Sequence, residues 1–139
     1  MAKFERIYKI NDSFFDEIDC EEKAYILGFM YADGCNEINP EKCKYSISMS
    51  QLHQDIDILE KINQAMNSNY PIQIRLQKEN RKQKCVLSIS SKKLSNALCK
   101  LGCSKAKTFL IRFPKENQYF NENLMHHFIR GYFDGDGCI

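Results

Sequence analysis

The feature that most constrains this chain is a nine-residue segment that occurs twice. Residues 26–34 read ILGFMYADG, and residues 129–137 read IRGYFDGDG. A constant offset of 103 positions aligns Asp33 with Asp136. Each copy has the apolar periodicity of a helix and ends in an acid flanked by small residues. The chain must therefore accommodate two similar helices, each with a carboxylate at its end.

The glycines in the repeat indicate that these two helices pack closely. Helical periodicity places Tyr25, Gly28 and Ala32 on one face of the first helix, and Gly131 and Gly135 on one face of the second. A glycine inside a helix costs about 1 kcal/mol relative to alanine. Close approach of two backbones would explain why both helices carry glycine, because small residues four apart permit it. The sequence predicts a direct helix–helix contact along these faces.

Such a contact would bring two carboxylates together at an unfavourable place. Asp33 and Asp136 fall at predicted helix C-termini, where the helix macrodipole disfavours an anion. In a parallel pair the two charges would also repel each other. A hard divalent cation such as Mg2+ would relieve both effects, because it prefers oxygen ligands. A helix-ending Asp-Gly turn explains either aspartate alone, but the matched pair favours a metal site.

Composition indicates a single soluble domain. The chain has 139 residues, of which 43% are hydrophobic and 27% charged, as is usual for a globular protein. It has no apolar run near the roughly 18 residues of a membrane span, and its N-terminus lacks a secretory pattern. The seven cysteines are odd in number and lack CxxC spacing. We expect reduced thiols, and hence a cytoplasmic location or, for an organelle-encoded protein, the organelle matrix.

The net charge of +2 conceals an uneven distribution of charged residues. Residues 1–40 contain four basic and nine acidic side chains, whereas residues 71–115 contain twelve basic and one acidic. A basic concentration of this kind is typical of proteins that bind the phosphate backbone of nucleic acids. A lysine-rich solvated surface is the simpler alternative. The basic segment overlaps predicted strands, which favours nucleic-acid binding.

Hydrophobic patterning predicts a mixed α+β domain with two hairpins. Two helices beyond the repeat are predicted at 54–67 and 92–101 from their apolar stripes. Alternating apolar and polar residues predict strands at 36–39, 44–51, 70–78 and 84–90. The order is helix, hairpin, helix, hairpin, helix, and then the second copy of the opening helix. One face of the strands is apolar, and the other carries long polar side chains.

Local signals mark the ends of the repeated helices. Asp19 and Glu22 have the spacing of a capping box for the first helix. Gly34 is expected to end that helix. Asn121 or Asn123 is expected to cap the second one.

At these motifs the chain resembles the double-motif branch of the LAGLIDADG homing endonuclease family. Residues 15–25, which precede the first motif, and residues 128–131, which begin the second, are also similar to family sequences. The spacing between the motifs is typical of the family, so that the resemblance covers essentially the whole chain. One departure is Tyr31, where the family often has a first acid. That position is not the metal ligand.

The resemblance implies an αββαββα fold whose four-stranded antiparallel sheet forms a saddle over double-stranded DNA. Residues 1–120 would form the first repeat, and residues 121–139 the opening helix of a truncated second repeat. In the double-motif branch another hairpin, helix and hairpin would follow and read the second DNA half-site. We therefore expect weak or absent cleavage by this chain alone. A homodimer formed through the motif helices is the alternative source of the second half.

The resemblance also implies the metal ligands. Asp33 and Asp136 would bind Mg2+ or Mn2+, together with the backbone carbonyls of Ala32 and Gly135. The metal ion would activate water for phosphodiester hydrolysis.

Three further residues occupy positions that have catalytic roles in the family. Gln51 would position solvent, although an exposed edge glutamine is an equally good interpretation. Lys105 or Lys107 would lie near the scissile phosphate, with simple backbone contact as the alternative.

The polar strand positions supply the candidate DNA-contacting residues. Arginine can read guanine and glutamine can read adenine in the major groove, although many such residues contact only phosphate or water. The candidates are Glu37, Asn39, Lys44, Ser46, Ser48, Gln73, Arg75, Gln77, Arg81, Lys84 and Ser88. His53 and the adjacent pair His126 and His127 are expected to pack or face solvent, because neighbouring residues do not share a helix face.

Two functions are compatible with the sequence. The first is a sequence-specific, metal-dependent DNA endonuclease of the kind involved in intron or intein mobility. The second is a related DNA- or RNA-binding module, such as a regulator or intron maturase, that has lost cleavage. Retention of both Asp33 and Asp136 favours the nuclease, because a pure binder gains nothing from paired anions beside DNA phosphate. An origin within an intein is disfavoured, because the chain begins at Met1 and shows no splicing-junction residues.

Overall fold

The computed structural model describes residues 8–75, 83–103 and 120–136, apart from the side chain of Asp136. The helices are α1 (Glu21–Asp33), α2 (Ile56–Ala65), α3 (Lys92–Lys100) and α4 (Met125–Asp136). The strands are β1 (Cys35–Asn39), β2 (Lys44–Leu52), β3 (Ile72–Arg75) and β4 (Lys84–Ser90). The predicted α+β class and the order of elements are confirmed. Among these helices none is long and apolar enough to cross a membrane.

The four strands form one antiparallel sheet in the order β1-β2-β4-β3. Each hairpin contributes one edge strand and one central strand. The hairpins meet between β2 and β4, where Ile47 pairs with Ile89 and Ser48 pairs with Ser88. Alternation along the paired strands makes one face of the sheet largely apolar and the other largely polar, although Val86 pairs with Ser50 on the polar face.

The apolar face is the core side of the sheet. Its buried residues are those predicted from the alternation, namely Ile47, Met49, Cys85, Leu87 and Ile89. Helices α2 and α3 contact the central strands on this side. Ile74 was expected on the same face, and its pairing with Cys85 places it there. It is nevertheless 52% exposed, because β3 is an edge strand.

Helix α1 is the central element of the core. Residues 26–31 are buried without interruption, so that neighbouring elements cover the helix on all sides. A helix that is apolar all round is stable in water only when it is enclosed in this way. Its principal neighbour among the described elements is α4.

The helix ends follow the predictions with one exception. Gly34 is the C-cap of α1, and Asn121 accepts a hydrogen bond from the Asn123 backbone at the short turn that leads into α4. The predicted capping box at Asp19 and Glu22 is wrong, because the N-cap of α1 is Cys20 and its side chain makes no capping hydrogen bond. Asp19 instead pairs with Lys23, with 3.1 Å between Oδ1 and Nζ. An i, i+4 ion pair has here replaced the cap.

Candidate active site and nucleic-acid-binding surface

Helices α1 and α4 are in direct backbone contact at the glycines of the repeat. A Cβ atom on Gly28 would lie 2.0 Å from the carbonyl oxygen of Phe128. A Cβ atom on Gly131 would lie 1.9 Å from the carbonyl oxygen of Tyr25. Both distances are far shorter than van der Waals contact. The predicted close packing is confirmed, and it requires glycine at both positions.

The two helices run parallel. Near their starts, His127 Nε2 lies 3.5 Å from Glu21 Oε1. Near their ends, a Cβ atom on Gly135 would lie 3.0 Å from the Cβ atom of Ala32. Parallel packing brings the C-termini of α1 and α4 to the same place. The two residues predicted to supply carbonyl ligands are therefore neighbours.

Asp33 lies where the helix pair meets the sheet. It is the last residue of α1, its side chain is exposed, and β1 begins two residues later at Cys35. Cys35 pairs with Ser48, so that Asp33 lies beside the next residue on the same face of β2, Ser50. Ser50 Oγ is 3.5 Å from Asp33 Oδ2. The short connection thus places the carboxylate at the edge of the polar sheet face.

Ser50 was not among the predicted catalytic residues. Alternation placed it on the polar face with the other serines of β2, but nothing in the sequence distinguished it from them. Its proximity to Asp33 follows from the register between β1 and β2, which could have been read from the length of the hairpin turn.

The other predicted catalytic residues are not brought together in the described part of the chain. Gln51 pairs with Cys85 and, by alternation, lies on the opposite sheet face from Ser50. Lys105 and Lys107 lie outside the described residues, as does the side chain of Asp136. The roles of these four side chains remain predictions.

A second polar contact joins the first half of α1 to the last turn of α4. The hydroxyl of Tyr25 donates a hydrogen bond to Asp134 Oδ2, and the guanidinium of Arg130 lies 5.1 Å from the Tyr25 ring centre. Burial raises the pKa of Tyr25, the hydrogen bond and the charge of Asp134 raise it further, and Arg130 opposes them. The contact fixes the register of the two helices. Sequence analysis did not predict it, because periodicity does not identify partners on different helices.

A groove of about 530 Å³ opens beside this contact, between α1, α2 and α4. Acids and bases line it together, among them Glu22, Lys61 and Asp134. Asp33 does not line the groove. The groove is therefore separate from the candidate metal site.

The polar face of the sheet carries most of the predicted DNA-contacting residues. The pairing registers place nine of them on this face: Glu37, Asn39, Lys44, Ser46, Ser48, Gln73, Arg75, Lys84 and Ser88. Gln77 and Arg81 lie outside the described residues. An ion pair of 3.5 Å joins Lys44 to Glu37 near one end of the face. The face is thus largely polar, with Val86 and Leu52 as apolar residues among the hydrogen-bonding side chains.

The basic residues of segment 71–115 are divided between two sides of the protein. Within its described part, only Arg75 and Lys84 lie on the polar sheet face. Lys92, Lys93 and Lys100 belong to α3, which contacts the other side of the sheet. The expectation that the basic excess falls on the strands is therefore only partly right. A count of basic residues over segment 71–115 combines strands β3 and β4 with helix α3. It therefore does not show which surface of the protein carries the basic side chains.

The two adjacent histidines are in ring contact, and His126 is exposed, in agreement with the expectation that they pack or face solvent. The ring centres of His126 and His127 are 3.9 Å apart at the first turn of α4. In the described part of the chain no three His, Cys, Asp or Glu side chains are close enough to hold a metal ion together. Any metal site at Asp33 must therefore combine its carboxylate with backbone oxygens or with groups outside the described residues.

The donor types predicted at Asp33, a carboxylate and helix-end carbonyls, are those that a hard divalent cation prefers. The last four carbonyl groups of a helix have no partner within it. Ala32 and Gly135 both lie in the last turns of their helices and are in contact. A carboxylate next to such carbonyls forms an all-oxygen donor set of the type that Mg2+ and Mn2+ bind.

The sequence model of the LAGLIDADG endonuclease family matches residues 26–102. The chain belongs to this family. The match begins in the first motif and extends through the sheet to the end of α3, and so covers more than half of the chain. No curated protein matches the chain. LAGLIDADG proteins bind DNA, are usually nucleases that use divalent metals, and often dimerise, so that membership indicates a homing endonuclease or a related DNA-binding module.

Proposed function

We propose that this LAGLIDADG protein is a homing endonuclease domain that hydrolyses phosphodiester bonds in double-stranded DNA with Mg2+ or Mn2+. One observation carries the proposal. The parallel, glycine-packed pair of helices α1 and α4 brings its C-terminal end, with Asp33, to the edge of the polar sheet face. A carboxylate at the border of a hydrogen-bonding surface would disfavour DNA phosphate unless a cation lay between them.

In this proposal Asp33 and Asp136 hold the metal, together with the carbonyl oxygens of Ala32 and Gly135. The contact between Ala32 and Gly135 supports the arrangement, because it makes the two helix ends adjacent. A divalent ion bound there would supply activation of water and neutralisation of negative charge at the phosphate.

The side chains of the chain bind and orient the substrate. The polar sheet face holds the DNA through its long donors, among which Lys44, Arg75 and Lys84 are basic. The hydroxyl of Ser50 helps to orient the Asp33 carboxylate. Lys105 or Lys107 is proposed to contact the scissile phosphate. Gln51, which lies on the opposite sheet face from Ser50, is not assigned a role beside Asp33.

A second half of the DNA-reading surface is expected beyond α4. Ile129 and Phe133, on the outer side of α4, are 40% and 60% exposed. Their equivalents in the first copy, Ile26 and Met30, are buried at 2% and 0%. Helix α4 would be covered by a second layer, meaning secondary-structure elements like those that cover α1. A further half-domain or a second copy of the chain would supply this second layer. Without that layer, DNA binding should be weak and salt-sensitive, and cleavage feeble.

A module that only binds DNA or RNA would share the polar sheet face. It would gain nothing from an exposed carboxylate at the edge of that face, because the carboxylate repels the phosphate backbone. The position of Asp33 therefore favours the nuclease. The proposed place of action is the cytoplasm or, for an organelle-encoded protein, the organelle matrix.

The proposal is tested with supercoiled plasmids that carry a library of random inserts, incubated with the chain at low salt in Mg2+ or Mn2+. We expect slow nicking that Asp33→Asn and Asp136→Asn each reduce about a hundredfold, since a metal ligand contributes several kcal/mol to transition-state stabilisation. Asp57→Asn, an exposed acid on α2, is the matched control and should leave nicking unchanged. Titration with Mn2+ followed by electron paramagnetic resonance gives a second readout.

Two results would contradict the assignment. Equal nicking by Asp33→Asn and the original chain would remove Asp33 from the site. DNA binding with no nicking and no Mn2+ binding would instead identify the chain as a non-cleaving module.

A further inference from the structure

The glycine contacts between α1 and α4 are nearly the same in both directions. Gly28 approaches the carbonyl oxygen of Phe128, and Gly131 approaches that of Tyr25. The offset of the repeat relates these two contacts to each other, so that an approximate twofold axis exchanges the helices. A symmetric contact of this kind would hold two α1 helices, or two α4 helices, equally well. The glycines therefore do not determine which helices pair.

The side chains next to the glycines differ between the two sides of the helix pair. On one side the hydroxyl of Tyr25 donates a hydrogen bond to Asp134. In the repeat, Tyr25 corresponds to Phe128, and Asp134 corresponds to Tyr31. On the other side the rings of Phe128 and Tyr31 meet edge-on, with 4.9 Å between their centres. Equivalent positions thus form a hydrogen bond on one side and an aromatic contact on the other.

The neighbouring residues follow the same division. On the hydrogen-bonded side, Arg130 lies over the Tyr25 ring, and His127 lies 3.5 Å from Glu21. Their equivalents on the other side are all apolar, namely Leu27, Ala24 and Leu124. The first side borders the groove between α1, α2 and α4, whereas both rings of the second side are buried in the core. We call them the polar side and the apolar side of the helix pair.

Only two unlike helices satisfy both sides. In a pair of α4 helices, Asp134 of each would face Phe128 of the other, so that each carboxylate would meet a ring instead of a hydrogen-bond donor. In a pair of α1 helices, Tyr25 of each would take the place of Phe128 and would carry its hydroxyl group into the apolar side. Both like pairs would lose the hydrogen bond between Tyr25 and Asp134.

We infer that the hydrogen bond on the polar side and the ring contact on the apolar side determine which helix α1 accepts. The partner that fits has an acceptor at the position of Asp134 and a phenyl ring at that of Phe128, as α4 has. The chain therefore does not dimerise by pairing one α1 with another. Each candidate metal site combines Asp33 of an α1 with the C-terminal end of an α4, and a second layer leaves this pair intact. The inference goes beyond the proposed function, because it does not depend on cleavage of DNA.

Isotope-filtered nuclear Overhauser spectroscopy tests which helices pair in the full chain. Copies labelled with 13C at tyrosine are mixed with unlabelled copies at the highest soluble concentration. We expect a contact between the rings of Tyr31 and Phe128, and none between Tyr25 of one copy and Tyr31 of another. Absence of the first contact, or presence of the second, would overturn the inference.

Substitution of Tyr31 tests the apolar side. Tyr31→Asp gives α1 the residue that α4 has at this position, and it sets a carboxylate against the Phe128 ring in the core. We expect the folding equilibrium constant from urea unfolding to fall at least about a hundredfold. The control Tyr31→Phe keeps the ring and should lower the constant only about fivefold. Equal stability of these two variants would contradict the inference.

Substitution of Asp134 tests the polar side, where the side chain is exposed and the variants should fold. Asp134→Tyr gives α4 the residue of α1 and should lower the folding equilibrium constant about tenfold, because Tyr25 loses its acceptor. Asp134→Asn keeps an acceptor oxygen and should lower the constant less than about threefold. Equal effects of the two substitutions would show that the acceptor does not select the partner. These variants decide the inference even when Tyr31→Asp fails to fold, a result that itself meets the expectation.

Discussion

Tyr31 and Asp134 occupy the same position in the two copies of the motif and have different structural roles. The hydroxyl of Tyr31 donates a hydrogen bond to the carbonyl of Leu101 at the end of α3, and its ring packs edge-on against Phe128 at 4.9 Å. Asp134 accepts a hydrogen bond from Tyr25 on the neighbouring helix. The departure from the family pattern at Tyr31 thus links α1 to the end of α3.

Replacement of Tyr31 should have a pH-dependent effect on stability. Burial raises the pKa of Tyr31 above its usual value. A group with a raised pKa contributes stability that is complete below its unfolded-state pKa of about 10 and is lost as the pH rises through its folded-state pKa. At neutral pH Tyr31→Phe should cost about 1 kcal/mol, the value of one hydrogen bond. At strongly alkaline pH the variant should lose less stability than the original chain.

Thermal unfolding followed by circular dichroism from neutral to alkaline pH measures this difference. Parallel loss of stability in the two proteins would show that the ionisation of Tyr31 does not contribute to alkaline unfolding.

The contact between Ser50 and Asp33 predicts a small effect of substitution on metal binding. At 3.5 Å it is long for a hydrogen bond, so that its loss should cost less than about 1 kcal/mol. Ser50→Ala should weaken Mn2+ binding by about two- to fivefold, and Ser50→Thr should restore it because the hydroxyl is retained. Equal binding by all three proteins in a calorimetric titration would remove Ser50 from the site.

Among the elements, the contact between α1 and α4 is the most sensitive to substitution. A Cβ atom on Gly28 or Gly131 would lie within about 2 Å of a backbone oxygen of the other helix, where no flexible side chain can move aside. Gly28→Ala and Gly131→Ala should each destabilise the protein by about 3 kcal/mol, despite a gain in helix propensity of about 1 kcal/mol. Gln64→Ala, on the exposed side of α2, is the control. Urea unfolding measures the effect, and unchanged stability in either glycine variant would contradict this packing.

The elements were predictable where a local pattern determines them. Alternation identified the strands and their faces, and the glycine spacing in the repeat identified the contact between α1 and α4. The partners that depend on tertiary structure were not predictable, as in the contact of Tyr25 with Asp134. Periodicity assigns a residue to a face of its own helix or strand. Which residue it contacts on another element depends on how the elements pack together. The capping prediction failed because Asp19 had a competing partner, Lys23.

At the scale of the whole molecule, the two motif helices have very different surroundings. Helix α1 is enclosed by the core, whereas α4 has apolar residues on its outer side that are covered by nothing in the described part of the chain. The sequence repeat predicts equivalent surroundings for both helices, because equivalent apolar residues follow the same spacing. The difference between them is the basis for expecting a second layer on α4.

This difference predicts self-association of the 139-residue chain through α4. Burial of a large apolar side chain such as Phe133 or Ile129 stabilises an interface by roughly 1.5–3 kcal/mol. Sedimentation equilibrium should show a dimer that forms as concentration rises. Phe133→Lys should shift the chain to monomer with little change in its unfolding temperature, because the side chain is 60% exposed. A chain that stays monomeric at every concentration, or a variant that dimerises equally well, would show that the second layer is not provided by another copy.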